Sequence, residues 1–298
     1  MKIAAHVLAY NVNRFLKPVL ENLEPHVDKI YIAHSERPFG YNEKSRQTRT
    51  NPTKISDIRA ASSSSKIEII SGDWVTEEGM RNTCLDMARN QGFDWFLIQD
   101  ADEFYPESSW KQIKRILHQN KTDDHIVTTW YTFWKSSYYV VSDINGSIKS
   151  TNAGFALRCS SNIKFTDRRL CNNSYRKVID TPCHHYSYVM SDEEMEEKLA
   201  TFSHAHQVFA RSWYNYKWLN WTESSRWLNP VFPPAYERAI PFPLGQPDFA
   251  EEFAMHIPGL DDRVPKFGQL AGETFYDTRV NLLRFRKSLA RVVKSVFA

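Results

Sequence analysis

Four short apolar runs, separated by segments of helical spacing, constrain this chain more than any other feature of it. They are KIAAHVLA at 2–9, DKIYIAH at 28–34, KIEIIS at 66–71 and DWFLIQ at 94–99, each reading as a buried strand. After the first, Val12, Phe15, Leu16, Val19, Leu20 and Leu23 recur at helical spacing. Proline is disfavoured inside a helix, so the regular helix is expected to begin near Pro18 and to stop before Pro25. Thr76 caps a further helix, with Glu77 and Glu78 in its first turn and an inward face of Met80, Cys84, Met87, Ala88 and Gln91; Gly92 ends it. A helix over 107–119 and a strand over 125–131 follow. The polar stretch 36–65 reads as a loop with one short helix. Alternation of this kind predicts an α/β chain with a mainly parallel central sheet flanked by helices and right-handed crossovers. Ligands of such sheets bind beyond the carboxyl ends of the strands, where Tyr10-Asn11, Ser35-Glu36, Asp73 and Asp100 fall.

From about residue 142 the pattern changes. Strands read as short, and the segment after 212 is rich in proline and in tryptophan, with Trp213, Trp218, Trp221 and Trp227. The last stretch, 278–298, reads as a basic amphipathic helix. Leu282, Leu283, Phe285, Leu289, Val292, Val293 and Val296 alternate with Arg284, Arg286, Lys287, Arg291 and Lys294. Such a helix can lie on an anionic membrane surface, or pack on the rest of the chain or on a second subunit. The net charge of +3 is too balanced for a nucleic-acid partner. Cys84, Cys159, Cys171 and Cys183 show no CxxC spacing, and the opening residues lack the pattern of a signal peptide. The expectation is a reduced, cytoplasmic chain, with peripheral membrane contact through 282–298 as an option. Aromatic residues make up 14%, which serves a large core or a cleft that stacks sugar faces.

Two constellations bear chemistry. Asp100 and Asp102 are two apart, and on extended backbone their carboxylates point the same way. A convergent pair at a strand end suits a hard cation such as Mg²⁺ or Mn²⁺, shared with phosphates. Glu103, next in line and facing the other way, reads as structural. In Cys183-His184-His185-Tyr186, either histidine can complete the ligand set, and adjacent residues on extended backbone face opposite ways, so one of the two is expected to do so. Ser191 opens a capping box with Glu194. On the helix that follows, Met195, Leu199, Phe202 and His206 share one face and His204 lies on the other. That geometry weakens a zinc site built from His184, His185, His204 and His206. Arg81, early in its helix, reads either as an exposed helix charge or as a cation reaching a diphosphate or base.

Residues 2–105 resemble the GT-A glycosyltransferases, specifically the family-2-like group with a DxD motif. The resemblance rests on Ala9-Tyr10-Asn11 after the first strand, VDKIYIAHS, the Arg81-Asn82 pair and FLIQDADEFY; HHYSYVMSDEEMEEKLATFSHAH is similar to a later stretch in bacterial and viral members. It implies a GT-A fold with a catalytic domain at 1–210, comprising a nucleotide-binding half at 1–105 and an acceptor half at 106–210, and a C-terminal extension at 211–298. Ala9, Tyr10 and Asn11 would line the nucleotide pocket. Ser35 stands where an acidic residue usually ends the second strand, with Glu36 after it. Asp73 would contact the base and Arg81 the nucleotide. Asp100 and Ala101 would approach the ribose or a metal-bound water, Asp102 would ligate Mn²⁺ or Mg²⁺, and His184 or His185 would supply a further ligand. The donor would be a UDP- or GDP-sugar and the acceptor a glycan or lipid-linked hydroxyl. An inverting reaction needs a base, for which Asp143, Asp167 and Asp180 are candidates. Competing readings are a zinc-dependent hydrolase, a non-catalytic carbohydrate-binding protein and, ranked low because the loop AYNVNRF lacks glycine, a nucleotidyltransferase.

Overall fold

The structure is a computed structural model and describes residues 1–172, 175–202, 204, 210–245 and 271–282. The chain runs β1 (Ile3–Ala9), α1 (Asn13–Leu23), β2 (Lys29–His34), α2 (Glu43–Thr48), α3 (Ile55–Ala61), β3 (Ile67–Ser71), α4 (Glu77–Asn90), β4 (Trp95–Ile98), β5 (Glu103–Phe104) and α5 (Glu107–Gln119). It continues through β6 (His125–Trp134), β7 (Ser136–Ser142), β8 (Ser150–Arg158), β9 (Phe165–Asp167), β10 (Leu170–Cys171), β11 (Lys177–Tyr188), α6 (Asp192–Thr201), α7 (Ala210–Trp213) and β12 (Arg238–Pro241).

One ten-stranded sheet organises the molecule, in the order β12-β7-β6-β8-β4-β1-β2-β3, with β11 beside β6 and β5 beside β11. Strands β3, β2, β1 and β4 are parallel neighbours, in registers such as Val7 to Ile32, Ile32 to Ile69 and Ala5 to Leu97. β8 then runs antiparallel to both β4 and β6, and β6 is parallel to β11. The result is an α/β fold: a mixed sheet with a parallel half, flanked by helices.

Alternation along the strands sorts the core into two faces. Ile3, Ala5, Val7, Trp95 and Leu97 point to one side and pack with Phe15, Leu16 and Leu20 of α1 and Trp110 and Ile113 of α5. Ala4, Phe96 and Ile98 point to the other, against Met80, Cys84, Leu85 and Ala88 of α4. Each large apolar side chain buried this way contributes about 1.5–3 kcal/mol. A third cluster joins the end of the sheet to the later segments through Trp134, Tyr188, Met195, Trp213, Trp218, Trp221 and Tyr276.

Three expectations are corrected. Pro18 lies inside α1, which begins at Asn13. The ring removes one hydrogen bond near the helix start, and burial of Phe15, Leu16, Val19, Leu20 and Leu23 offsets that loss. The stretch 36–65 holds two helices rather than one. The later strands are not all short: β9, β10 and β12 have three, two and four residues, but β8 has nine and β11 twelve. Register shifts break β11 between Val178 and Pro182 and between His185 and Tyr188, so no single alternation runs through its sequence.

Residues 271–282 are helical and are tied down by Lys217, which is fully buried and 2.8 Å from both Glu273 and Asp277. The amphipathic expectation for 283–298, and that for His206, lie outside the described residues. Among the described residues, no helix is long and apolar enough to cross a membrane. All four cysteine thiols are free.

Candidate functional site

The carboxyl ends of β1 and β2 open onto a cleft of about 740 Å³. Its floor is an acidic turn. β4 ends at Ile98, and Glu103 N–H donates back to the Asp100 carbonyl at 3.0 Å. Gln99 closes the turn from inside, its Nε2 donating to the Glu103 carbonyl at 2.8 Å. Asp100 and Asp102 therefore sit on turning rather than extended backbone, and their carboxylates part company.

Asp100 faces two arginines, 3.0 Å from Arg81 and 2.8 Å from Arg169. Arg81 is fully buried and also pairs with Glu77, one helical turn earlier, at 2.7 Å, so it is not the exposed helix charge that its sequence position allowed. Burial pushes the Asp100 carboxyl upward, but Arg169 and Arg81 together outweigh it and hold the group well below the ordinary carboxylate range. Arg169 comes from the tip of the β9–β10 hairpin, where Arg168 takes a left-handed φ of 50°. Its guanidinium also bonds Glu103 and lies over the Trp130 ring at 4.9 Å.

Asp102 turns the other way, with His185 Nε2 and Lys198 Nζ each 3.8 Å from its carboxylate. β5 pairs antiparallel with β11, placing Glu103 opposite His185 and Phe104 opposite His184. Directly opposed residues share a face. Glu103 and His185 therefore converge on Asp102, and one ligand atom from each of the three lies within 4.8 Å of the others. His184 turns to the far face, among Phe133, Tyr131 and Phe242. The sequence left the two histidines undecided; the strand parity selects His185.

Glu103, read from sequence as facing the other way, lies instead on the same side as Asp102 and His185. It is fully buried, and its Oε2 has no hydrogen-bond partner. Burial drives its carboxyl well above the ordinary value, against the pull of Arg169. The His185 Nδ1 is likewise buried without a partner, and burial lowers the ring to about 4 in spite of Asp102, leaving a neutral imidazole. The oxygens of Asp102 and Glu103, one of them orphaned, and a neutral imidazole are the donor types that suit a divalent cation such as Mn²⁺. They do not make a zinc cluster of histidines: His204 lies against Arg168 at 3.2 Å, and among the described residues the three-residue group above is the one of metal-binding type.

The remaining sequence candidates divide. Tyr10, Asn11, Asp100, Ala101 and Asp102 line the cleft. Ala9 does not; its side chain is in the core, and its carbonyl accepts from Asn51 at 2.7 Å. Glu36 is exposed and outside the cleft lining. Asp73 is outside it too, bound by Arg37 and by Arg46 at 2.8 Å, and Arg37 first among them lowers its carboxyl. Of the candidate bases, Asp167 lines the cleft, 2.8 Å from Arg168. Asp143 instead caps its own turn, accepting from Asn145 and Ser147, and Asp180 is exposed on β11. Neither reaches the cleft, because each points away from it on an outer turn or strand face.

Besides Glu103, three residues at or behind the cleft escaped the sequence reading: Arg169 and Lys198, which line it, and Asn51, which braces the loop after β1. No motif marks them, since each is an isolated polar residue brought in by a hairpin, a helix and a loop. Asn51 is fully buried and donates to the Ala9 and Ser35 carbonyls while its oxygen accepts from Asn11 N–H at 3.0 Å. It fixes the loop after β1, in which Asn11 adopts a left-handed φ of 53°, tolerable for asparagine.

No protein-family model and no curated protein matches the sequence. Among solved structures, the chain is similar to 4-diphosphocytidyl-2C-methyl-D-erythritol synthase from Anaerococcus prevotii, at 15% identity and a TM-score of 0.37, over 69% of this chain and 95% of that one. HddC from Yersinia pseudotuberculosis, complexed with GMP-PN, is similar at 12% identity and 0.40, over 65% and 96%. The mannosyltransferase PcManGT from Pyrobaculum calidifontis, in complex with GDP-Man and Mn²⁺, is similar at 13% and 0.32, over 42% and 34%.

Proposed function

We propose that this protein is a metal-dependent glycosyltransferase that moves a sugar from a UDP- or GDP-sugar to the hydroxyl of a glycan or lipid-linked acceptor. The observation that carries the reading is the convergence of Asp102, Glu103 and His185 at the carboxyl edge of a parallel sheet, inside the cleft, beside Asp100 clamped by two arginines.

Asp102, Glu103 and His185 would hold the cation, Mn²⁺ or Mg²⁺. When bound, it offsets charge developing on the departing diphosphate. Asp100, held ionised and immobile by Arg81 and Arg169, accepts hydrogen bonds from the ribose hydroxyls. Tyr10 and Asn11, on the loop after β1, flank the nucleotide. Asp167 is the candidate for taking the acceptor proton, being the member of its group that lines the cleft. The aromatic lining from Trp130, Tyr188, Phe202, Phe232 and Tyr236 offers apolar faces for sugar rings.

Incubation with a panel of sugar nucleotides and Mn²⁺, followed by assay of released nucleoside diphosphate, tests the reading. Turnover with one donor, abolished by Asp102→Asn, is the expected result. Absence of both turnover and binding for every donor overturns it, and release of pyrophosphate from nucleoside triphosphate and sugar phosphate would reassign the site to nucleotidyl transfer.

A further inference from the structure

Among the cations that line the cleft, Lys198 stands beside the acidic group and has no task in the scheme above. α6 carries Lys198 to the acidic group, where the ammonium donates to the Ser187 carbonyl at 2.5 Å and to the Ser187 hydroxyl at 2.7 Å. Its Nζ stands 3.8 Å from Asp102 Oδ2, matching the 3.8 Å between Asp102 and His185. An ammonium has three N–H donors. Ser187 takes two, and the remaining one is on the side of Asp102, with which the ammonium is ion-paired at 3.8 Å. The lysine is fixed as well as close: α6 starts in a Ser191–Glu194 capping box, and Arg14 holds Glu194 at 3.1 Å. Arg169 differs in the closeness of its pairing: it bonds Asp100 and Glu103 directly, whereas Lys198 and Asp102 stand 3.8 Å apart.

A divalent ion held by Asp102, Glu103 and His185 therefore lies beside a fixed positive charge, and the two repel in a site only partly open to water. A diphosphate reverses the sign, since both cations then attract the same anion. Resting on the proposed function, we infer that Lys198 couples the two ligands: it disfavours the metal ion alone and grips the diphosphate once the metal is present. Metal and nucleotide then bind with reciprocal positive coupling.

Electron paramagnetic resonance of Mn²⁺, with and without UDP or GDP, tests this on the whole chain as wild type, Lys198→Met and Lys198→Arg. Lys198→Met is expected to tighten Mn²⁺ alone by roughly tenfold and to weaken UDP or GDP binding in Mn²⁺ by roughly tenfold, shrinking the coupling. Lys198→Arg, which keeps the charge, is expected to retain it. Unchanged or weakened Mn²⁺ binding in Lys198→Met overturns the inference. If the wild type binds both Mn²⁺ and nucleoside diphosphate and Lys198→Met matches it, the role of Lys198 fails alone. If the wild type binds neither, the proposed function fails and takes this inference with it. Thermal unfolding monitors the fold of each variant, and Lys198→Gln supplies the same comparison if the Met variant does not fold.

Discussion

β1, β2, β3 and β4 present their carboxyl ends in one parallel row, and the loops that follow them need few distant partners. The opposite wall of the cleft has no such row. β11 reaches it through two register shifts, and Arg169 and Lys198 arrive on a hairpin tip and a helix from far along the chain. The first wall supplies the carboxylates Asp100 and Asp102 and, from α4, Arg81; the second supplies His185, Arg169 and Lys198. Arg81 answers Glu77 and Asp100 within the first wall, and the remaining buried charges are answered across the cleft, Arg169 by Asp100 and Glu103.

Breaking that exchange of charge is expected to have the largest effect. Arg169→Met leaves Glu103 buried without its cation and deprives Asp100 of one of two. A loss of about 3–5 kcal/mol is expected, seen as a lowered denaturation midpoint. Asp102→Asn should spare the fold and lower kcat on the order of 100-fold, with Mn²⁺ binding lost in the same preparation. Glu103→Gln sharpens the contrast between walls: if Glu103 belongs to the metal group, Mn²⁺ affinity falls by roughly 10–100-fold, whereas a structural Glu103 leaves it unchanged.

Acid should then weaken both walls. Burial, with help from Arg81, lowers the His6 ring to about 3; burial also lowers His26 and His125 to about 4, aided by Lys114 and Arg176 respectively. These folded values lie below the unfolded 6.5. The unfolded chain therefore takes up protons first, and the stabilisation is complete above pH 6.5 and declines as pH falls toward 4. The fully buried His6 ring costs about 1.4 kcal/mol per pH unit inside that window, and the more exposed His26 and His125 cost less. Thermal midpoints measured from pH 7 to pH 4.5 check the slope. The smallest effects separate the candidate bases: Asp143→Asn and Asp180→Asn should leave kcat within about twofold, while Asp167→Asn should lower it by 10²-fold or more if it is the base.

The same division decided what could be read from sequence. Buried strands and amphipathic helices repeat locally, so β1 to β4, α4 and α5 were legible from apolar spacing, and with them the place of Asp100 and Asp102 at the carboxyl edge. The parity of Glu103 was misread because extended backbone was assumed across 100–103, where the chain turns and β5 restarts the alternation. His185 became distinguishable from His184 only through the register of β5 on β11. Arg169 and Lys198 carried no local mark, since their partners lie 66–69 and 96 positions away.

Asn51 has a consequence for how a ligand arrives. A single carboxamide holds the loops after β1 and β2 through Ala9, Ser35 and Asn11. With the loops tied to one another in this way, a nucleotide bound there as proposed would cost less ordering of the protein. Replacing Asn51 would free these three backbone groups at once, and the loops after β1 and β2 would lose their common tie.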